Sequence, residues 1–305
     1  MSEEGGADSE PQYLPDIARV EISVEEIQAY TDEDDFNALA VSLTIEFGSW
    51  VCVAASLLPG ETRRWNRNQA ILGGLLVRYY KLLSALLDQT CQRRRETSFM
   101  LARLVFECMV TIQYLLMRNS DELYQAFVAY SLQHERKLRE HIQQNIDRRG
   151  GESLPIERRM IASIDRTFSV SGITIDQATK ATARPWKDAN IFERTRAVGL
   201  EQAYLLIFGG TSHSVHGNWQ DLLEYHLEKE EDGFRPELRW QRPRPQVLYT
   251  LCLLGISAVQ QYLVFLVGED AESVCKDLDE LRERIRTVNS LHEEFLIRKS
   301  ENEGN

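Results

Sequence analysis

The sequence lacks a pattern of cysteines that could bind a metal or form a disulfide framework. Its five cysteines are scattered along 305 residues without a CxxC pair, and three of them lie inside apolar helical patterns. This distribution is typical of reduced thiols that act as small core residues. A P-loop, a Rossmann-type glycine loop and the Glu-x-x-His signature of di-iron bundles are also missing. We therefore predict no metal and no cofactor.

Strand-like alternation is scarce as well, and most of the chain has helical periodicity. Breakers such as Pro59-Gly60 and Gly150-Gly151 separate the helices, and Ser120 is placed as an N-cap. Side chains alternate around Asp232-Gly233, which predicts a β-hairpin near 224–240. We predict an all-α fold, a multi-helix bundle of long antiparallel helices with a small β-hairpin insertion. The predicted helices span about 36–58, 62–91, 96–117, 120–149, 155–169, 190–216, 246–267 and 270–297.

Charge is concentrated at the two ends of the chain. Residues 1–35 have a net charge of −11 and residues 269–305 one of −5, which leaves +4 for 36–268 out of a total of −12. An anionic ligand is therefore compatible with the body. We predict an acidic, largely disordered segment over 1–35 and a single helical domain over 36–305. The acidic, polar start lacks the basic and apolar regions of a secretory signal, so we expect a cytoplasmic protein.

One segment is long enough to test for membrane insertion. Residues 245–268 carry no charge, and the arginines Arg242 and Arg244 precede them. That length can span a bilayer. Adjacent Gln260 and Gln261, together with a tyrosine, a threonine, a serine and a glycine, favour a buried core helix over a transmembrane span.

The candidate site begins with two charged residues on the third predicted helix. This helix is almost wholly apolar between Phe99 and Leu116, and Arg103 and Glu107 are spaced to share one face. Burying ions costs several kcal/mol each unless they are paired. We expect these two residues to pair with each other or with polar groups on a facing helix.

The predicted helix ending in TSHSVHG offers such a face. A spacing of four places Tyr204, Phe208, Ser212 and His216 in one stripe, whereas His213 is rotated away. Gly217 follows where a C-terminal cap is expected. The candidate catalytic residues are therefore His216, Arg103, Glu107, Ser212 and Tyr204.

These residues carry a resemblance to a known family. The stretch ARLVFECMVTIQYLL, followed some ninety residues later by GLEQAYLLIFGGTSHSVHG, resembles the bacterial domain of unknown function 5677. Its members pair an R-x-x-x-E helix with a later helix bearing Y…S-x-x-x-H-G, and the family region would cover about 65–265. The resemblance implies an all-helical fold and a distant similarity to HEPN-like proteins, many of which are RNA-cutting toxins or antiviral effectors.

The chain departs from the arginine-to-histidine motif of HEPN nucleases. Neither His213 nor His216 follows an arginine at the required spacing. The pairs Arg136 with His141 and Arg286 with His292 do have that spacing, but about two such matches arise by chance in this composition. A nuclease function therefore cannot rest on this motif.

Two interpretations of the cluster remain open. For metal-independent RNA cleavage in toxicity or phage defence, His216 would be the base, Arg103 would stabilise phosphate charge and Glu107 would hold the base, with hydrogen bonds from Ser212 and Tyr204. RNA or a nucleotide would then be the partner. Alternatively, the same residues tie two helices together in a non-catalytic binding or scaffold protein, which could also be a homodimer. A zinc site at His213 and His216 is weakly supported, because no cysteine or acidic ligand lies nearby.

Overall fold

The computed structural model describes residues 16–59, 63–180, 189–209 and 214–303. It confirms the predicted all-α class, with a single two-stranded hairpin among the described residues. The long helices are α2 (Glu33–Ser56), α3 (Arg67–Cys91), α4 (Arg95–Arg118), α12 (Pro245–Val267) and α13 (Glu272–Glu303). The shorter ones are α1 (Val24–Gln28), α5 (Asp121–Ser131), α6 (Gln133–Arg148), α7 (Pro155–Ser171), α8 (Ile175–Lys180), α9 (Ile191–Ala197), and the single turns α10 (Glu201–Ala203) and α11 (Trp219–Asp221).

Four of the long helices form a closed ring. Helix α2 packs on α3, α3 on α4, α4 on α12 and α12 on α2, while α13 covers the side formed by α2 and α12. The connection from α3 to α4 is only three residues long, so the two helices are antiparallel neighbours. The centre of the ring is built from large apolar side chains that are almost fully buried, including Phe36, Phe47, Leu76, Tyr79, Phe106, Tyr249 and Tyr262.

Local sequence signals explain most helix ends. Asn66 and Gln69 form a capping box at the start of α3, and Ser120 accepts a hydrogen bond from the Leu123 backbone at the start of α5. The helix predicted over 120–149 is interrupted at Leu132, which separates α5 from α6. The predicted hairpin is confirmed: β1 (Leu227–Glu230) pairs antiparallel with β2 (Gly233–Pro236).

Close packing requires glycine at the crossing of α12 with the ring. A Cβ on Gly255 would lie 2.1 Å from Tyr79 Oη and 2.7 Å from Phe47 Cζ. Of the adjacent glycines Gly73 and Gly74 on α3, only the first is required by close packing. A Cβ on Gly73 would lie 2.7 Å from the Trp65 ring, whereas one on Gly74 would meet nothing within 4 Å.

The structure departs from the expected disorder of residues 1–35. Residues 1–15 lie outside the described part of the chain, but residues 16–35 have a defined place on the bundle. Ile17, Val20 and Ile22 pack against the core, and Ile27 of α1 is buried. The apolar side chains of this segment therefore outweigh its acidic composition.

Within the described part of the chain, four helical stretches are long and apolar enough to cross a membrane by length and composition, not just the one considered from the sequence. They are Glu33–Ser56, Arg67–Cys91, Arg95–Arg118 and Pro245–Asn302. These stretches contain the ring helices, whose apolar residues supply most of the core. The expectation that none of them spans a membrane stays a prediction.

Candidate functional site

The first part of the candidate site is a charged stripe on α4. Arg103 Nε donates to Glu107 Oε1 at 3.1 Å, as their i,i+4 spacing predicted. The Arg103 side chain is 16% exposed and that of Glu107 is 37% exposed. The pair is therefore half-buried and stays accessible from one side.

A second arginine, which the sequence reasoning missed, approaches the same stripe. Arg194 on α9 donates from Nη1 to Thr111 Oγ1 at 3.1 Å, and Thr111 lies one turn beyond Glu107 on α4. Burial lowers the pKa of Arg194, and the negative charge of Glu107 opposes this effect. We define the charged cluster as Arg103, Glu107, Thr111 and Arg194. Nothing local in the sequence indicates that α9 packs on α4.

Tyr204 begins a π-helical turn that packs on the same helix as the charged cluster. This first π-turn (Tyr204–Gly209) packs on α4, as α9 does. The ring of Tyr204 meets that of Phe192 on α9 edge-on, with 5.2 Å between the ring centroids. Tyr204 therefore belongs to the segments that pack on α4, and its role in the site stays a prediction.

The predicted stripe from Tyr204 to His216 required one continuous α-helix over 190–216, and that helix is absent. The chain leaves α9 at Val198, passes through Gly199 in the left-handed region with φ +75°, and then forms α10 and the first π-turn. A π-turn bonds residues five apart, so a spacing of four no longer keeps side chains aligned. Ser212 and His213, as well as the Phe208 side chain, lie outside the described residues.

His216 is exposed, and it lies shortly after residues 210–213, which are outside the described part of the chain. Residues 214–216 are helical, and the buried side chain among them is that of Ser214. Gly217 has φ +57°, which agrees with its predicted role in ending the helix. The sequence therefore placed the helix end correctly, but the structure turns Ser214 inward and leaves His216 on the surface.

One of the two arginine-to-histidine spacings found in the sequence places its histidine in the core. The His292 side chain is 0% exposed, and its ring lies 4.6 Å from that of Phe36, so it cannot reach a substrate. Arg136 pairs with Glu140 at 2.5 Å, on the same helix as exposed His141. Across residues 16–59, 63–180, 189–209 and 214–303, no group of three or more histidine, cysteine or acidic side chains could hold a metal.

A cavity of about 710 Å³ lies beside the charged stripe. It is lined by the start of α4, by α10 and α11, by the first π-turn, by a second π-turn (Leu222–His226) and by the first half of α12. Its volume lies within the range that small organic ligands occupy in proteins. The lining residues are Phe99, Ala102, Gln202, Ala203, Ile207, Ser214, Gln220, Asp221, Glu224, Tyr225, Arg244, Gln246, Val247, Thr250 and Leu254.

Two buried acceptors in the cavity wall are unpaired. Asp221 is 4% exposed, and its Oδ1 has no hydrogen-bond partner among the described residues. The same holds for Gln246 Oε1. Buried polar atoms are nearly always paired in folded proteins, so these two acceptors on a cavity wall can be satisfied by water or by a ligand.

The second π-turn (Leu222–His226) positions the other polar groups of this wall. His226 Nε2 lies 3.3 Å from Asp221 Oδ2, and Arg244 Nη2 lies 3.9 Å from Glu224 Oε1. Burial, with an added contribution from Glu224, raises the pKa of Tyr225 well above its usual range. Tyr225 therefore acts as a neutral phenol at the edge of the cavity.

The chain matches a family of unknown function, DUF5677, over residues 69–234, which is more than half of its length. The chain belongs to the DUF5677 family. No curated protein and no solved structure matches it.

The DUF5677 region ends earlier than the sequence interpretation expected, at residue 234 and not near 265. It includes the charged cluster, Tyr204, His216, both π-turns and Asp221. It excludes α12, which contributes Gln246 and the opposite cavity wall. The cavity is therefore formed between the family region and a helix that follows it.

Proposed function

We propose that this DUF5677 protein is a helical ligand-binding protein and that the cavity between α4 and α12 holds a small organic molecule. The observation that carries the proposal is Asp221 Oδ1, a buried carboxylate oxygen without a partner among the described residues, in the wall of a cavity of about 710 Å³. Leaving such an oxygen unsatisfied costs about 1–3 kcal/mol or more for a charged group. A ligand that donates a hydrogen bond would remove this cost.

The π-turns add independent support. Short π-helical segments are rare, and they occur frequently at functional sites because they redirect side chains. Here Ile207 from the first π-turn and Glu224 and Tyr225 from the second reach the cavity. The least regular part of the described backbone therefore surrounds the space assigned to the ligand.

The test is a thermal-shift screen of the full chain against a panel of small metabolites, with two variants in which an alanine is replaced by tryptophan. Ala203→Trp places a large ring in the cavity wall, whereas Ala162→Trp adds the same ring to an exposed position on α7. Hits should stabilise the wild type and Ala162→Trp but not Ala203→Trp. If no compound stabilises the wild type, or if Ala203→Trp responds equally, the proposal is wrong.

The second candidate function is a HEPN-like effector that cleaves RNA without a metal. The specific observation in its favour is that two arginines, Arg103 and Arg194, lie against the carboxylate of Glu107 in a half-buried position, where guanidinium groups are suited to stabilise phosphate. In this proposal exposed His216 is the base, and Tyr204 supplies a hydrogen bond. Ser212 would add another, although it lies outside the described residues.

The effector proposal is tested with His216→Ala and the control His141→Ala, which removes an exposed histidine from α6. Surface substitutions of this kind should change the free energy of unfolding by no more than about 0.5 kcal/mol. His216→Ala should therefore melt like the wild type and lose RNA cleavage and cell toxicity. Absence of cleavage by the wild type, or full activity of His216→Ala, contradicts the effector proposal.

The cellular location and the oligomeric state of the protein are also proposals. We propose a cytoplasmic protein, soluble without detergent, that can form a homodimer. Expression without detergent followed by size-exclusion chromatography with light scattering measures both properties. Recovery only from the membrane fraction would contradict the cytoplasmic location, and a monomer at all concentrations would contradict the homodimer.

A further inference from the structure

We propose that the cavity selects an organic cation, a primary amine or an amidine on an apolar body, with Asp221 as its counter-ion. This inference rests on the proposed ligand-binding function and adds the chemical class of the ligand.

Asp221 is held so that one oxygen faces a protein partner and the other has none. Its backbone N–H donates to Asn218 Oδ1 at 3.1 Å, which fixes the start of α11. Its Oδ2 lies 3.3 Å from His226 Nε2, and its Oδ1 is buried and unpaired among the described residues. A buried carboxylate requires hydrogen-bond donors or an opposite charge. The missing donor on the Oδ1 side defines what the ligand must supply.

The second π-turn creates this arrangement. In an α-helix a residue five positions along is rotated by roughly 140°, so Asp221 and His226 would lie on different sides. A π-turn bonds residues five apart and brings them onto one side. His226 thereby occupies Oδ2 at the half-exposed rim, and Oδ1 is left without a partner among the described residues, on a side chain that lines the cavity.

The charges of the wall favour a cation. The lining residues include two carboxylates, Asp221 and Glu224, and one guanidinium, Arg244. Arg244 lies 3.9 Å from Glu224, and Arg95 also acts on Glu224, so both arginines face that carboxylate. Among the described residues, Asp221 has an ion-pair contact with His226 but with no lysine or arginine. An anionic ligand would meet this carboxylate without a cation to shield it.

The apolar part of the cavity lining indicates what the body of the ligand should be. Phe99, Ile207, Val247 and Leu254 provide apolar surface, and Gln246 Oε1 offers a second acceptor. A primary ammonium or an amidine carries several N–H donors and can serve both acceptors at once. An alcohol of the same shape has a single donor and no charge.

Three probes with the same phenylbutyl body and different head groups test the class: 4-phenylbutylamine, 4-phenylbutanol and 5-phenylpentanoate. Calorimetric titration of the full wild-type chain should give an amine affinity at least about tenfold higher than that of the alcohol or the acid. Asp221→Asn should reduce the amine-to-alcohol ratio to near one while alcohol binding persists. Glu231→Gln, which removes an exposed carboxylate from the hairpin loop, should leave the ratio unchanged.

A second variant keeps the test informative if Asp221→Asn fails to fold. His226→Arg places a permanent cation against Oδ2 from the half-exposed rim and should weaken amine binding by about tenfold without affecting the alcohol. Equal binding of the three probes, tighter binding of the acid, no amine binding, or a preference that survives both substitutions overturns the cation assignment. The ligand-binding proposal fails separately, through the metabolite panel and Ala203→Trp.

Discussion

Replacing Glu46 by methionine should release the segment that precedes α1 and destabilise the whole bundle. Glu46 on α2 is 4% exposed and Arg284 on α13 is 9% exposed, and the two form a bidentate pair at 2.7 and 2.5 Å. The same two side chains hold the backbone of Val20, since its N–H donates to Glu46 Oε2 at 2.8 Å and its carbonyl accepts from Arg284 Nη1 at 2.7 Å. One buried ion pair therefore joins three parts of the chain.

The magnitude follows from the charge that the substitution leaves behind. Removing one partner of a buried pair costs about 3–5 kcal/mol, because the other charge stays buried without compensation. Unfolding entropy of about 2.1 cal/mol/K per residue amounts to roughly 0.6 kcal/mol/K for this chain, so the melting temperature should fall by about 5–8 °C. The double variant with Arg284→Met buries no charge and should be at least about 2 kcal/mol more stable than Glu46→Met alone.

Urea unfolding of the wild type, both single variants and the double variant measures this coupling. Hydrogen exchange at the Val20 amide should show faster opening in Glu46→Met. The control is Glu283→Met, which breaks an exposed pair with Arg286 and should cost no more than about 0.5 kcal/mol. If the two single effects add in the double variant, the pair is not coupled and the reasoning is refuted.

Two further predictions concern packing and pH. Gly255→Ala should destabilise the protein by about 1–3 kcal/mol or more, because the new Cβ overlaps Tyr79 Oη. Gly74→Ala should stabilise it by about 0.5–1 kcal/mol, because its Cβ meets nothing within 4 Å. Equal effects of the two substitutions in thermal melts would contradict this packing. Burial lowers the pKa of His292 from 6.5, with Glu33 opposing, so its contribution to stability is present above that pH and is lost as pH falls toward the lowered pKa. His292→Leu should therefore remove part of the acid sensitivity between pH 7 and 5, and an unchanged slope of stability against pH would argue against this role.

Most helices of this protein could be predicted because their signals are local. Apolar periodicity defined α2, α3, α4 and α12, and the N-cap serine of α5 was correctly placed. The stretch from 190 to 216 was wrong as one helix, because apolar residues fill a π-turn as readily as an α-helix. Residues 16–35 were misjudged from their acidic composition, although five apolar or aromatic side chains within them contact or enter the core.

The candidate site was predictable only in part for the same reason. The i,i+4 pair of Arg103 and Glu107 was visible in the sequence and is formed on α4. Arg194 was not, because it meets α4 through contacts between residues more than eighty positions apart. Asp221 and Gln246 carried no motif, and only the cavity makes their unpaired oxygens significant.

The sequence by itself determined that this is an all-helical protein, where most of its helices and its hairpin lie, and that one apolar helix carries an arginine–glutamate pair. These properties depend on residues within a few helical turns of one another. The tertiary structure alone decided that His216 faces outward while Ser214 faces inward, that Arg194 joins the pair, and that Asp221 lines a cavity closed by α12. Each of these depends on the direction of a side chain after a π-turn or on contacts between distant helices, and neither is encoded in a local pattern.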